Sequence, residues 1–128
     1  MDTRAVNDAT QGAKTMKISA VMRHVRISPT KVRRLADLVR GKTIADGLES
    51  LRFLPHRGAR LLEKVILSAK ANAEDLGARS SEEFLIGVAS VDSGPTLKRM
   101  QPHARGMGFE IKKRSSHITV VVQGIAPE

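Results

Sequence analysis

Asp92-Ser93-Gly94-Pro95-Thr96-Leu97-Lys98-Arg99-Met100-Gln101-Pro102-His103-Ala104-Arg105-Gly106-Met107-Gly108 is the stretch around which the rest of the chain is organised. It stands between two runs that read as strands, Phe84-Leu85-Ile86-Gly87-Val88-Ala89-Ser90-Val91 before it and Phe109 to Val122 after it. Gly94, Gly106 and Gly108 supply backbone freedom, Pro95 and Pro102 supply stiffness, and Lys98, Arg99, His103 and Arg105 supply positive charge, with no acid after Asp92. Nothing in it has the period of a helix or of a half-buried strand. A connection this long without structure of its own is uncommon in a compact domain and signals function or disorder. It cannot bury enough apolar surface to offset its own ordering entropy. The reading is the tip of a long hairpin that becomes ordered against an anionic partner.

The strand after the tip supports this. Ile118, Val120 and Val122 alternate with Thr119 and Val121, which places a buried sheet at the base of the hairpin. Lys112-Lys113-Arg114 stands higher on the same run. Successive strand side chains face opposite sides, so the triplet carries charge on both faces and cannot be packed in the protein's own core. From Glu110 to Val122 an unbroken strand would extend about 40 Å at ~3.3 Å per residue, more than a small core needs.

Upstream, Lys17 to Arg26 alternates, with Ile18, Ala20 and Met22 on one side and Lys17, Ser19 and Arg23 on the other, the pattern of a strand. Ser28-Pro29 is a helix start, the serine placed to cap free amides and the proline at a position that loses no hydrogen bond. Val32, Leu35, Ala36 and Val39 form its apolar stripe, Lys31, Arg34 and Arg40 project away from it, and Gly41 ends it. Thr43 caps a short second helix with Ile44, Leu48 and Leu51 inward, stopped at Pro55. The third helix, about His56 to Leu76, shows the clearest periodicity. Leu62, Ile66, Ala69, Ala73 and Leu76 line one face beside Val65, and Lys70 and Glu74 form a possible i, i+4 pair. Gly77 terminates it, and Ala78 to Glu83 is a polar connection.

Composition bounds the partner. The chain has 128 residues, a formal charge of +9 and a pI near 10.7, which favours one modest core and a nucleic acid or anionic surface as partner. Residues 16–42 hold eight Lys/Arg and one acid, Asp37, whereas residues 43–83 are near balance. With three Phe, no Tyr and no Trp, a surface built from aromatic stacking platforms is disfavoured, leaving phosphate contact and shape readout. No Cys is present, so disulfides, thiolate zinc sites and a Cys nucleophile are excluded. No apolar run approaches the ~20 residues of a membrane span, and the N-terminus lacks a signal-type apolar core, so a soluble intracellular protein is expected. His24, His56, His103 and His117 are scattered without metal-ligand spacing, Gly106-Met107-Gly108 precedes no helix start, and no nucleophile–base pair stands out. No cofactor, metal or enzyme activity is expected.

Three sets of residues carry a family resemblance. The hairpin contributes Val91-Asp92-Ser93-Gly94-Pro95-Thr96-Leu97-Lys98-Arg99, Pro102-His103-Ala104-Arg105-Gly106 and Ile111-Lys112-Lys113-Arg114-Ser115-Ser116-His117-Ile118-Thr119-Val120-Val121-Val122. The N-terminal part contributes Arg26-Ile27-Ser28-Pro29-Thr30-Lys31-Val32-Arg33 and Leu38-Val39-Arg40-Gly41-Lys42, and the third helix Ser68-Ala69-Lys70-Ala71-Asn72-Ala73-Glu74. From about Lys17 to Gln123 the chain resembles the L twenty-two family of large-subunit ribosomal proteins. Met107 and Glu110 stand where that family usually has basic residues.

The resemblance implies a cytoplasmic, non-catalytic rRNA-binding protein near the polypeptide exit that takes part in subunit assembly. Its hairpin would reach along the exit tunnel and influence macrolide binding and nascent-chain passage. The expected fold is α+β: three helices packed on a small three-stranded antiparallel sheet, with a long protruding β-hairpin at about 84–123 and its tip at about 93–108. Residues 1–15 are expected to be a disordered tail and 16–128 a single domain. Contacts to rRNA would come from Lys17, Arg23, Arg26, Lys31, Arg33, Arg34, Arg40, Lys42, Lys98, Arg99, Arg105, Lys112, Lys113, Arg114 and His117. The tunnel surface would be Gly94, Pro95, Thr96, Leu97, Lys98, Arg99, Met100, Gln101, Pro102, His103, Ala104, Arg105 and Gly106. Expected partners are large-subunit rRNA, neighbouring ribosomal proteins and the nascent chain, without membrane or homo-oligomer. The alternative is a free DNA- or RNA-binding regulator with its first helix in a groove.

Overall fold

The computed structural model describes residues 14–125. In chain order the elements are β1 (Thr15–Val25), α1 (Pro29–Val39), α2 (Ile44–Arg52), α3 (Arg57–Asp75), β2 (Leu85–Ser93), β3 (Leu97–Pro102), β4 (Gly108–Lys113) and β5 (Ser116–Ile125), with short 3-10 turns at Ser81–Glu83 and Ala104–Gly106. The expected tail lies outside the described residues except for Lys14 and Thr15, and Thr15 already pairs with Ile125.

The fold is α+β. One antiparallel sheet has the order β1-β5-β2, and β3 and β4 form a separate two-stranded ribbon. β5 is central because its alternate residues Ile118, Val120 and Val122 are fully buried, matched by Ile18 and Ala20 on β1 and by Ile86, Ala89 and Val91 on β2. All three helices cover that face: α1 lies over β2, α3 over β1 and β5, and α2 packs on both helices. The stripe Val32, Leu35, Ala36 and Val39 is buried, as are Leu62, Val65, Ile66, Ala69 and Ala73. The register follows from the buried face, since a one-residue slip would turn Ile118, Val120 and Val122 outward.

The helix ends show local chemistry deciding boundaries. Thr43 Oγ1 accepts from the Asp46 amide at 3.2 Å, so the expected cap of α2 forms. Ser28 occupies the cap position of α1, but its hydroxyl lies against the Thr30 hydroxyl at 3.0 Å and makes no cap bond. After α1 and α3 the chain reverses through Gly41 (φ +83°) and Gly77 (φ +94°), a conformation that costs other residues a Cβ clash. Leu76 is 61 % exposed, not part of the core stripe, because α3 has already ended at Asp75.

Two further expectations are corrected. The segment between Asp92 and Gly108 is not without regular structure, for β3 pairs with β4 from Leu97 against Lys113 to Pro102 against Gly108. A strand exposed on both faces has no hydrophobic alternation to betray it, so the period test could not find it. The run from Glu110 to Val122 is also not one strand. It breaks at Arg114–Ser115, opposite Gly94–Thr96, where the ribbon meets the sheet. At this joint the Gly94 amide donates to the Ser115 carbonyl at 2.8 Å, and the Ser115 hydroxyl donates to the Pro95 carbonyl. A Cβ on Gly94 would lie 2.8 Å from the Ser115 hydroxyl oxygen, so only glycine permits this close approach.

Candidate nucleic-acid interface

Arginines first complete the edge of the sheet. β2 is an edge strand, and its outward groups would be a template for unwanted pairing. The Gly41 amide donates to the Ile86 carbonyl, the Ile86 amide to the Lys42 carbonyl, and the Ile44 amide to the Phe84 carbonyl, at 2.8–2.9 Å. Farther along the same edge, Arg40 Nη2 donates to the Ala89 carbonyl at 2.6 Å and Arg33 Nε to the Val91 carbonyl at 3.1 Å. Arg40 also pairs with Asp37 at 2.7 Å, and Lys42 Nζ donates to the Ser50 hydroxyl at 3.0 Å. Three of the predicted phosphate-binding cations, Arg33, Arg40 and Lys42, thus have internal partners.

A second group of cations converges at the root of the ribbon. Arg26, Lys31, Arg34, Arg57, Lys112, Lys113 and Arg114, with His56, line a cleft of about 640 Å³ floored by Ile27, Leu35 and Gly58. Among the described residues no acid lines it. Its position follows from the fold. The chain leaves β1 at Val25 and enters α1 at Pro29, α3 begins beside it at Arg57, and the top of β4 closes the third side. Guanidinium-to-carbonyl bonds tie these elements together: Arg57 Nη1 donates to the Arg26 carbonyl at 2.9 Å, and Arg26 Nη1 donates to the Arg114 carbonyl. Gly58 allows α3 to approach α1, for a Cβ there would lie 3.0 Å from Leu35 Cδ1.

The helix ends at this cleft are unusual for a protein standing alone. Neither α1 nor α3 has a side-chain cap bond or an acid in its first turn. Each instead places cations, Lys31 and Arg57, beside the positive end of its dipole, a locally unfavourable arrangement. An anion in the cleft would reverse the sign of that interaction and accept from the guanidinium forks.

His117 stands beside the joint. Its Nδ1 accepts from the His24 amide at 3.1 Å, and the two rings meet edge to face with centroids 4.9 Å apart. His24 reaches this position at φ +57°, in the β1 bulge between Met22 and Val25. With Nδ1 accepting, the neutral ring carries its proton on Nε2.

On the ribbon, Lys98 and Lys112 are directly opposite, as are Arg99 and Ile111, and Met100 and Glu110. Glu110 approaches Lys98 at 4.0 Å, partly neutralising that face. Arg99 and Lys113 fall on the other face with Leu97 and Phe109. At the far end Arg105 (φ +62°) and Gly106 (φ +68°) make the turn, and His103 packs edge to face on Phe109 at 4.6 Å. From Leu97 to Glu110 every residue is exposed. Lys17 and Arg23 are exposed on β1 and do not line the cleft.

Of the residues expected to contact rRNA, Arg26, Lys31, Arg34, Lys112, Lys113 and Arg114 line the cleft, which Arg57 and His56, outside that expectation, also line. Arg57 lies in the charge-balanced middle of the chain, where its sign is averaged away. The signal that could have found it is a basic residue at a helix start with no acid in the first turn.

Residues 20–123 match the model of the family described as "Ribosomal protein L22p/L17e". The chain belongs to that family. Among ribosomal L22p/L17e relatives, the protein named large ribosomal subunit protein uL22 of Herpetosiphon aurantiacus is 50 % identical over 107 residues, 84 % of this chain and 95 % of the relative. That of Maridesulfovibrio salexigens is 44 % identical over 108 residues, covering 84 % and 98 %, and that of a Synechococcus species 45 % over 112 residues, covering 88 % and 91 %. The L22p/L17e family is structural and not enzymatic, and the large subunit to which these relatives belong sits in the cytoplasm.

Proposed function

We propose that this chain is a structural component of the large ribosomal subunit that grips rRNA with the cleft at its ribbon root and supports subunit assembly. The observation that carries the reading is that cleft: seven Lys/Arg from four segments meet around it without an acid. Phosphate contacts need this, because they neutralise charge along a backbone and release its counterions. Arg26, Lys31, Arg34, Arg57, Lys112, Lys113 and Arg114 are the primary contacts. Lys17, Arg23, Lys98, Arg99, Arg105 and the Nε2–H of His117 extend them along the sheet and the ribbon. Arg33, Arg40 and Lys42 contribute through the donors their internal bonds leave over.

The ribbon, exposed on both faces, lines the polypeptide exit tunnel with the segment Gly94 to Gly106, which runs from its root along β3 to the turn. Neighbouring ribosomal proteins and the nascent chain are the other contacts. Met107 and Glu110 reduce the charge near the turn, so the hold on RNA is concentrated at the root. Two measurements test this. The tagged chain should co-sediment with large subunits and stay through high-salt washing, whereas a loose regulator of DNA or RNA would be released. A photocrosslinker replacing Arg105 in assembled ribosomes should reach rRNA or nascent chain, and an absence of both products would refute the tunnel placement.

A further inference from the structure

Phe53 is 80 % exposed, the most exposed large apolar side chain among the described residues. The chain has only three Phe and no other six-membered aromatic ring, and Phe84 is buried. The turn carrying Phe53 is held rigidly. Arg60 Nη2 is shared among the carbonyls of Leu51 (2.9 Å), Arg52 (3.0 Å) and Leu54 (2.8 Å), at and just beyond the end of α2. Its other nitrogen pairs with Glu63 at 2.8 Å, and Glu63 also faces Arg52 at 3.6 Å. Pro55 stiffens the exit of the turn. The ring is therefore presented on a fixed support with little left to order on binding.

Its surroundings select the occupant. Phe53 lines a shallow depression of about 530 Å³ with Arg52, Leu54, Pro55, His56, Arg57 and Arg60. His56 and Arg57 line both this depression and the acid-free cleft, so the two adjoin at these side chains. We infer that Phe53 is a stacking platform for one unpaired base of an RNA strand whose phosphates run through the cleft. A base has an apolar face, and the phosphate of its nucleotide brings the negative charge that Arg57 can meet. An apolar side chain of a neighbouring protein would fill the depression but leave that charge unanswered. The inference rests on the RNA-binding reading above, and it adds a single platform to a chain whose aromatic scarcity excludes a stacking surface.

The test measures binding of the full-length chain to protein-free large-subunit rRNA across a salt series, for wild type and for Phe53→Ala, Phe53→Leu and Phe53→Trp. The Ala and Leu variants should bind about 5- to 100-fold more weakly, and the Trp variant about as tightly as wild type, since stacking needs a ring. The log–log salt slope should not change, because no charge is removed. Thermal melting of all variants should match wild type, for the side chain supports no core. One rRNA base protected from chemical modification by wild type should become reactive with Phe53→Ala. Wild-type affinity of the Ala and Leu variants for bare rRNA would overturn the inference and assign Phe53 to a protein neighbour, leaving the cleft reading intact. A salt-independent wild type would instead remove both.

Discussion

Replacing residues 94–115 by Asn-Gly joins Ser93 to Ser116, which are already paired across β2 and β5, by a two-residue turn of the hairpin type. The structure sets the cost. The removed segment contains one buried residue, Ser115, and none of the hydrophobic core. The hydrogen bond to the rest of the domain that is lost is Arg26 to the Arg114 carbonyl, worth about 1 kcal/mol net, whereas Gly94 to Ser115 and Ser115 to Pro95 are internal to the segment. Shortening the closed loop roughly tenfold returns about 2 kcal/mol of closure entropy at (3/2)RT ln n. The two nearly cancel, so stability should change by about 1 kcal/mol or less, and the melting temperature by at most about 8 °C in either direction. Circular dichroism melts of both chains at equal concentration measure this. A loss above about 15 °C would refute the claim that the ribbon is carried by the domain without supporting it.

Three other predictions concern the domain itself. Ile66→Ala, at a fully buried position on α3, should cost about 2–5 kcal/mol in urea unfolding. Gly124→Ala places a Cβ 2.3 Å from the buried ring of Phe84 and should cost about 1–3 kcal/mol, with Gly87→Ala as a milder control because it meets only the Gln123 side chain. The hydrogen bond from Lys70 to Glu82, at 2.8 Å between α3 and the 81–83 turn, holds the Glu82 carboxyl below its usual value and raises the Lys70 ammonium. A depressed carboxylate stabilises above its unfolded pKa and loses that contribution as pH falls through the folded one. Melting of wild type should therefore drop slightly more than that of Glu82→Gln between neutral pH and pH 3, and parallel curves would refute the link.

How much was legible follows from what each residue's pattern had to report. The helices and the sheet were readable because they bury one face, and burial writes a period: Val32, Leu35, Ala36 and Val39 on α1, and Ile118, Val120 and Val122 on β5. The ribbon was legible as an outlying basic element, but its strand pairing was not, since Leu97 to Glu110 is exposed and no face demands an apolar residue. The break at Arg114–Ser115 escaped for a related reason. It is made by Gly94 closing on Ser115 across the hairpin, a contact between residues distant in sequence. Among the site residues, clustering along the chain could not separate Arg26, Lys31 and Arg34, which line the cleft, from Arg33 and Arg40, which bond the edge of β2. All five lie on or next to one helix, and only the sheet's position decides which of them reach Val91 and Ala89. Arg57 was hidden because the net charge of residues 43–83 is near balance, and a regional sum does not show that it lies beside Arg26 and Lys31 in the fold.

In the proposed function the cleft at the ribbon root grips the rRNA backbone. Binding of the full-length chain to protein-free large-subunit rRNA, measured as log K against log salt concentration for wild type and for the double variant Arg34→Gln with Lys113→Gln, tests it most directly. Each phosphate contact contributes ~0.7–0.9 to the slope, so wild type should show a slope of several units and the double variant one shallower by about 1.5, with melting unchanged. A double variant with the slope and affinity of wild type would contradict the claim.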